Sequence, residues 1–251
     1  MNQSIPLQPV DVSLLRPQDS ALQSPAVFWR RHAWWPLLAF AVVFGVLEVL
    51  SLDRVIAIEW YFNVHTSQWL GAGAGDWWAR GLLHTGGRWL VRGIASAALV
   101  FWALSFAVQS LREWRRIAGY ILLAMLLAIL TVGILKTVTN VDCPWNLAHF
   151  GGHNPYVALF ADRPDALTRA QCFPGAHASS GFALFCFYFA FRDRSRRVAR
   201  WMLAIALAVG IAFSIGQEAR GAHFFSHDFT SAGIVWFVQL GLYARLLRRV
   251  R

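Results

Sequence analysis

A lysine, an arginine and three histidines of this chain stand in polar stretches whose composition suits phosphate chemistry. The stretch that carries most is Cys172-Phe-Pro-Gly-Ala-His-Ala-Ser-Ser-Gly181. Pro174 interrupts whatever regular structure precedes it. Gly175 and Ala176 bring little side chain, so the backbone there can approach a ligand closely. An apolar run, Phe182 to Phe191, follows, and Ala178 onward reads as a helix start. Free N–H groups and the positive end of a helix beside His177 favour an anion, phosphate above all. Read alone, the stretch is also a Pro-Gly turn before a membrane helix. Two further stretches favour the anion. One runs from Lys136 through Asp142, Cys143 and Pro144 to Trp145. The other runs from Gln217 through Arg220, His223 and His227 to Asp228.

The elements that must position these residues are membrane helices. Of the 251 residues 57% are hydrophobic and 14% charged, more apolar than a soluble domain. Many of the 13 Trp lie near the ends of apolar runs, as in the aromatic belts of membrane proteins. The net charge of +10 does not point to nucleic acid, because the cations cluster in short connections between apolar runs. The expected fold class is all-α: a polytopic membrane protein with six transmembrane helices. Residues 1–33 read as a polar cytoplasmic tail without a cleavable signal peptide, and 34–251 as the membrane domain. The expected spans are Trp34 to Leu52, Trp89 to Leu111, Ile117 to Val138, His177 to Phe191, Trp201 to Gly216 and His223 to Leu246. Residues 53–87 read as one or two short interfacial helices, broken at Gly71, Gly73 and Gly75. His84 and Arg88, four apart, share a helix face there and read as interface residues.

Fifteen of the 23 Lys and Arg fall on one side of this six-span layout. The positive-inside rule then puts both termini in the cytoplasm. Lys136, His177 and the 217–228 stretch all come to the opposite face. The topology argument uses none of their chemistry, so the agreement is independent support.

In order, spacing and membrane side, the three stretches resemble the signature of the type 2 phosphatidic acid phosphatase superfamily of membrane lipid phosphatases. Its pattern is Lys-x6-Arg-Pro, then Pro-Ser-Gly-His, then Ser-Arg-x5-His-x3-Asp. The resemblance covers roughly residues 90–245. Lys136, Pro144, Pro174 and His177 fit it. Cys143 stands at an Arg position, Gly175 and Ala176 stand at Ser and Gly, and Gln217 stands at Arg. Ungapped alignment puts His223 on the nucleophile and His227 on the orienting Asp. Arg220, three residues after Gln217 on the same helix face, is placed to supply the missing charge.

The resemblance implies a metal-free hydrolase with no cofactor. His223 attacks phosphorus and becomes a phosphohistidine, and His227 holds its other ring nitrogen. His177 protonates the leaving alkoxide and then activates water. Lys136 and Arg220 bind phosphate oxygens, and N–H groups near Gly175, Ala176 and His177 add an anion nest. The partners are the bilayer and a lipid phosphate: undecaprenyl diphosphate, phosphatidylglycerol phosphate, phosphatidic acid or lipid A. The expected location is the bacterial inner membrane, with the active site periplasmic. Transfer of the phosphoryl group to a second lipid is a close variant.

Two other classes compete. His149, His153, His177, His223 and His227 form a donor set for copper or zinc, a reading that leaves Lys136 and Arg220 unexplained. The departures at Cys143, Gly175 and Gln217 also suit an inactive scaffold. Cys143 and Cys172 lie in the one long external loop, each beside a motif, and the exterior is oxidising. A disulfide between them is expected, with Cys186 free inside the fourth span.

Overall fold

The computed structural model describes residues 24–248. The tail expected over residues 1–33 therefore lies largely outside the described residues, as do Arg249 and Arg251. A helical run starts at Pro25, ahead of the expected Trp34. Ser24 accepts a hydrogen bond from Val27 N–H at 3.4 Å, and Pro25 at the first position has no N–H to leave unsatisfied. The run comprises α1 (Pro25–Trp29), a π-helical turn and α2 (Trp35–Val49).

Residues 53–87 form more than interfacial helices. After α3 (Leu52–Trp60) the chain makes a two-stranded hairpin, β1 (Phe62–Asn63) against β2 (Gln68–Trp69). A π-helix over Trp77–Gly86 then runs on into α4 (Gly87–Ala107), so the second long helix begins a dozen residues earlier than its apolar core suggests. Next come α5 (Arg115–Thr139), α6 (Ala176–Phe182), α7 (Phe185–Phe191), α8 (Arg196–Glu218) and α9 (Phe225–Leu246).

Four helical runs are long and apolar enough to cross a membrane: Pro25–Val49, Gly73–Ala107, Gln109–Asn146 and Arg196–Glu218. The other two expected spans differ for physical reasons. The fourth, Ala176–Phe191, is apolar but short and is broken between α6 and α7. The side chain of Gln239 on α9 donates to the Ala183 carbonyl at the break, 2.7 Å away. The sixth, α9, has the length, but Ser226, His227, Asp228, Thr230, Ser231 and Gln239 are buried along it and lower its apolarity.

Helices α6 and α7 lie at the centre, packed against α5, α8 and α9. The tightest approach is between α6 and α8, where a Cβ on Gly181 would meet Gly210 Cα at 2.9 Å. Small residues at such a crossing let two membrane helices come together. Phe182, Phe185, Phe189, Tyr120 and Tyr243 fill the buried core around them.

Four non-contiguous segments converge at one end of this bundle. Asn140, in the left-handed region at φ 52°, ends α5 and turns the chain into the loop. Cys172 N–H donates to Val141 O at 2.9 Å, and Trp145 N–H donates to Gly221 O at 2.9 Å. Gly71 N–H donates to Ala219 O at 2.7 Å. The ends of α5 and α8, the start of α6 and the hairpin segment are thereby tied together. Within the loop, the buried Asp142 carboxylate pairs with Arg163 and accepts from Asn154 Nδ2 at 2.9 Å.

Candidate active site

His177 sits in the first turn of α6, buried. Its ring stacks on Phe213 of α8 at 4.6 Å, and its Nε2 lies 3.0 Å from the Leu83 carbonyl oxygen. A carbonyl only accepts, so Nε2 carries the proton and Nδ1 is the nitrogen left for proton transfer. The ring of His84 lies 4.5 Å away.

His84 belongs to the site, beyond the interface role its sequence context suggests. Gln217 Nε2 donates to His84 Nδ1 at 2.8 Å, and Arg220 donates from a terminal nitrogen to Gln217 Oε1 at 3.0 Å. A guanidinium can only donate, so the orientation of the Gln217 amide follows and the chain Arg220 to Gln217 to His84 is consistent throughout. Helix α8 ends at Glu218, so Arg220 reaches Gln217 across a turn and not along a helix face. Burial and the nearby Arg80 hold the Arg220 guanidinium below its ordinary pKa.

His223 and His227 are both buried, with ring centroids 5.8 Å apart. They do not share a helix face, because His223 lies in the connection before α9 and His227 on its first turn. No hydrogen bond joins them among the described residues. His223 Nδ1 has Cys172 Sγ at 3.6 Å, and His227 Nδ1 is a buried atom with no hydrogen-bond partner among the described residues. His227 lines a small cavity of about 20 Å³ together with Glu48, Asp53, Asp142 and Tyr156. Burial pushes the His223 imidazole well below its ordinary pKa, and the His227, Lys136 and His177 charges act in the same direction.

The start of α9 is held from a distance. Asp53 of α3 accepts from Ser226 N–H at 2.9 Å and from the Ser226 hydroxyl. A carboxylate at that helix end satisfies an N–H the helix leaves free and opposes its dipole. Asp53, Tyr61, Glu218 and His223 line one tight cleft with no room for a water between them. Burial and the Glu218 carboxylate raise the Tyr61 hydroxyl above its ordinary pKa.

Gly175 does not offer the donor expected of it. Its N–H goes to the His227 carbonyl at 3.0 Å, while its carbonyl accepts from the Ser231 hydroxyl at 2.9 Å. What Gly175 supplies is space, because a Cβ there would overlap Asp228 Oδ1. Ala176 follows as the first residue of α6. Lys136 is half-buried near the end of α5, and the Asp228 carboxylate is an opposite charge that acts on it. Neither oxygen of Asp228 has a hydrogen-bond partner among the described residues.

Cys143 and Cys172 form a disulfide, with Cα atoms 5.1 Å apart, and Cys186 is free and buried. The donor atoms of Cys172, His223 and His227 lie within 4.8 Å of one another, a spacing that suits a metal ion. The sulfur is committed to the disulfide, however, and offers no thiolate, while Lys136 adds positive charge at the same place. His149 and His153 are exposed in the loop, so the five-histidine donor set is not assembled.

Glu218, Tyr61 and Asp53 are polar groups at the site that sequence reasoning does not find. Each reaches it by contacts between distant segments. For His84 one signal exists, its four-residue spacing from Arg88.

The family model described as PAP2 superfamily matches residues 117–251. No curated protein and no solved structure gives a significant match to the chain.

Proposed function

The chain belongs to the PAP2 superfamily, and on that premise we propose that it is an integral-membrane lipid phosphatase working through a phosphohistidine. Superfamily membership supports a phosphatase-type activity, and the long apolar helices make this a membrane protein. The observation that carries the finer reading is the buried pair His223 and His227, ring centroids 5.8 Å apart, at the place where the segments bearing Lys136 and His177 converge.

In this reading a ring nitrogen of His223 attacks phosphorus and forms an N–P bond as the ester P–O bond breaks. The leaving alkoxide takes the proton on Nδ1 of His177, which enters this step as the imidazolium with its Nε2–H still on the Leu83 carbonyl. A water then gives a proton to His177 and its oxygen to phosphorus, the N–P bond breaks, and inorganic phosphate leaves. Hydrolysis of a phosphate monoester is very slow without a catalyst, so charge neutralisation must do much of the work. Lys136 and Arg220 supply it, Arg220 with its guanidinium braced by Gln217. His227 packs beside His223 and limits how its ring can turn. The N–H groups of Ala176 and His177, at the unpaired start of α6, add to the phosphate cradle.

The fuller membrane arrangement is part of the proposal. Six crossings, with α6–α7 and α9 as the inner pair, put both termini in the cytoplasm of a bacterial inner membrane and the histidines on the periplasmic side. The split of Lys and Arg between the two faces supports it. The lipid tail then stays in the bilayer while the phosphate meets the histidines at its surface.

The test is phosphate release by the purified chain from a panel containing undecaprenyl diphosphate, phosphatidylglycerol phosphate, phosphatidic acid and lipid A. Release from at least one, unchanged by a chelator and inhibited by vanadate, is the expected result. Activity lost to the chelator and restored by zinc would favour a metal enzyme. No release from any member would favour the inactive scaffold.

A further inference from the structure

The end of the bundle away from His177, His223 and His227 carries a cavity of about 590 Å³ that the phosphatase reading does not use. Arg31, Arg192, Arg196 and Arg200 line it, and Tyr188 and Trp236 form an aromatic wall. The wall is held firmly. His32 Nε2 lies 2.7 Å from the Tyr188 hydroxyl, and Trp236 Nε1 donates to the His32 carbonyl at 2.7 Å.

The charge here is unbalanced. Helix α8 begins at Arg196 behind the Ser195 cap, and its first turn holds no acidic residue. A helix start carries partial positive charge and ordinarily attracts carboxylates. This one has Arg196, Arg197 and Arg200 instead. The one acidic residue over 185–200 is Asp193, which lies 3.9 Å from Arg192 and accepts from the Tyr243 hydroxyl at 2.5 Å. Arg31 and Arg200 make no hydrogen bond or ion pair with another described residue. Arg31, Arg200 and the start of α8 facing one cavity leave positive charge that an anion would offset.

The walls identify the source of that anion. Pro36 of α2 and Leu203 of α8 add apolar lining. Beyond them, Leu37 and Leu38 on α2 and Trp201 and Ile205 on α8 are exposed, at 44%, 52%, 62% and 49%. A basic pocket that opens onto apolar helix faces fits an amphiphile, with the phosphate inside and the acyl chains along the helices. We infer that this cavity binds the headgroup of an anionic phospholipid from the leaflet opposite the histidines. The site goes beyond the phosphatase reading and rests on it only for the membrane arrangement that sets the leaflet.

The test uses the full chain in phosphatidylcholine nanodiscs with or without phosphatidylglycerol. After release into detergent, native mass spectrometry measures how much phosphatidylglycerol is retained. The wild type should retain phosphatidylglycerol in preference to phosphatidylcholine. Arg31→Gln, Arg196→Gln and Arg200→Gln should each weaken retention roughly fivefold. Arg200→Lys should lie near the wild type. Arg112→Gln with Arg116→Gln, on a different connection, should leave retention unchanged. The single variants sit on two different helices, so one that misfolds leaves the other to decide. Equal retention of both lipids would overturn the inference, and so would equal loss in the Arg112/Arg116 variant, which would mean general surface charge. Millimolar inorganic phosphate in lipid-free detergent should give no thermal stabilisation dependent on Arg31 and Arg200. Stabilisation there would assign the cavity to a free anion and overturn the lipid.

Discussion

The carboxylate of Asp228 occupies the space that a side chain at Gly175 would fill. The turn before α6 and the first turn of α9 are therefore fitted to each other by the absence of a Cβ. Gly175 also bonds to α9 through its own N–H and through its carbonyl, so it cannot move aside freely. Gly175→Ser, which restores the residue type of the resembled motif, should destabilise the protein by roughly 1–3 kcal/mol through overpacking. Adding Asp228→Ala should recover part of that loss, because the two sites are in contact. Thermal unfolding of the single and double variants in detergent measures it. A double variant no better than the sum of its parts would show that the two residues are not coupled in this way.

The acid side of the pH profile should be displaced. His223 must be neutral to attack, and burial holds its imidazole well below the ordinary value of 6.5. It stays neutral as pH falls through that value, so the acid limb of kcat/KM should lie well below pH 6.5. Lys136 is one of the charges that depress it. Lys136→Met removes that repulsion, raises the His223 pKa and should move the limb upward, besides lowering the rate. A limb at the ordinary histidine value, or a downward shift in the variant, would contradict the assignment.

The disulfide between Cys143 and Cys172 closes a separation of 29 residues and joins the end of α5 to the turn before α6. In the loop-entropy treatment, a link of that span contributes roughly 3–4 kcal/mol. The Cys143→Ser/Cys172→Ser variant should lose about that much in denaturant unfolding. Alkylation of the unreduced wild type, read by mass spectrometry, should modify Cys186 alone, and only after unfolding because Cys186 is buried. Labelled thiols at 143 and 172 would refute the pairing.

The long apolar runs are legible in the sequence because length and hydropathy are local properties. The run over Ile117 to Val138, for example, lies wholly within α5. Helix α9 is legible as a run, His223 to Leu246 against Phe225–Leu246, but the use of its inward face is not, since that face mixes Ser226, His227, Asp228 and Gln239 with Val235 and Leu240. The polar stretches at Lys136, His177 and 217–228 stand out by composition alone. Their mutual fit does not. Asp53 caps α9 across 173 residues of chain, and His84 meets Gln217 across 133. The geometry of Arg220 shows the limit most clearly. A three-residue spacing suggests a shared helix face, and the two side chains do meet, but through a turn after α8 has ended.

The central claim is that His223 carries the phosphoryl group. The most direct measurement is to quench the enzyme during turnover of a lipid phosphate it hydrolyses, keep the digest alkaline to preserve phosphohistidine, and map the modified peptide. The account predicts phosphate on His223, none in His223→Ala, and a slow residual turnover in His227→Asn, since that residue orients the nucleophile and does not bond to phosphorus. Phosphate mapped to His227, or full turnover by His223→Ala, would contradict it.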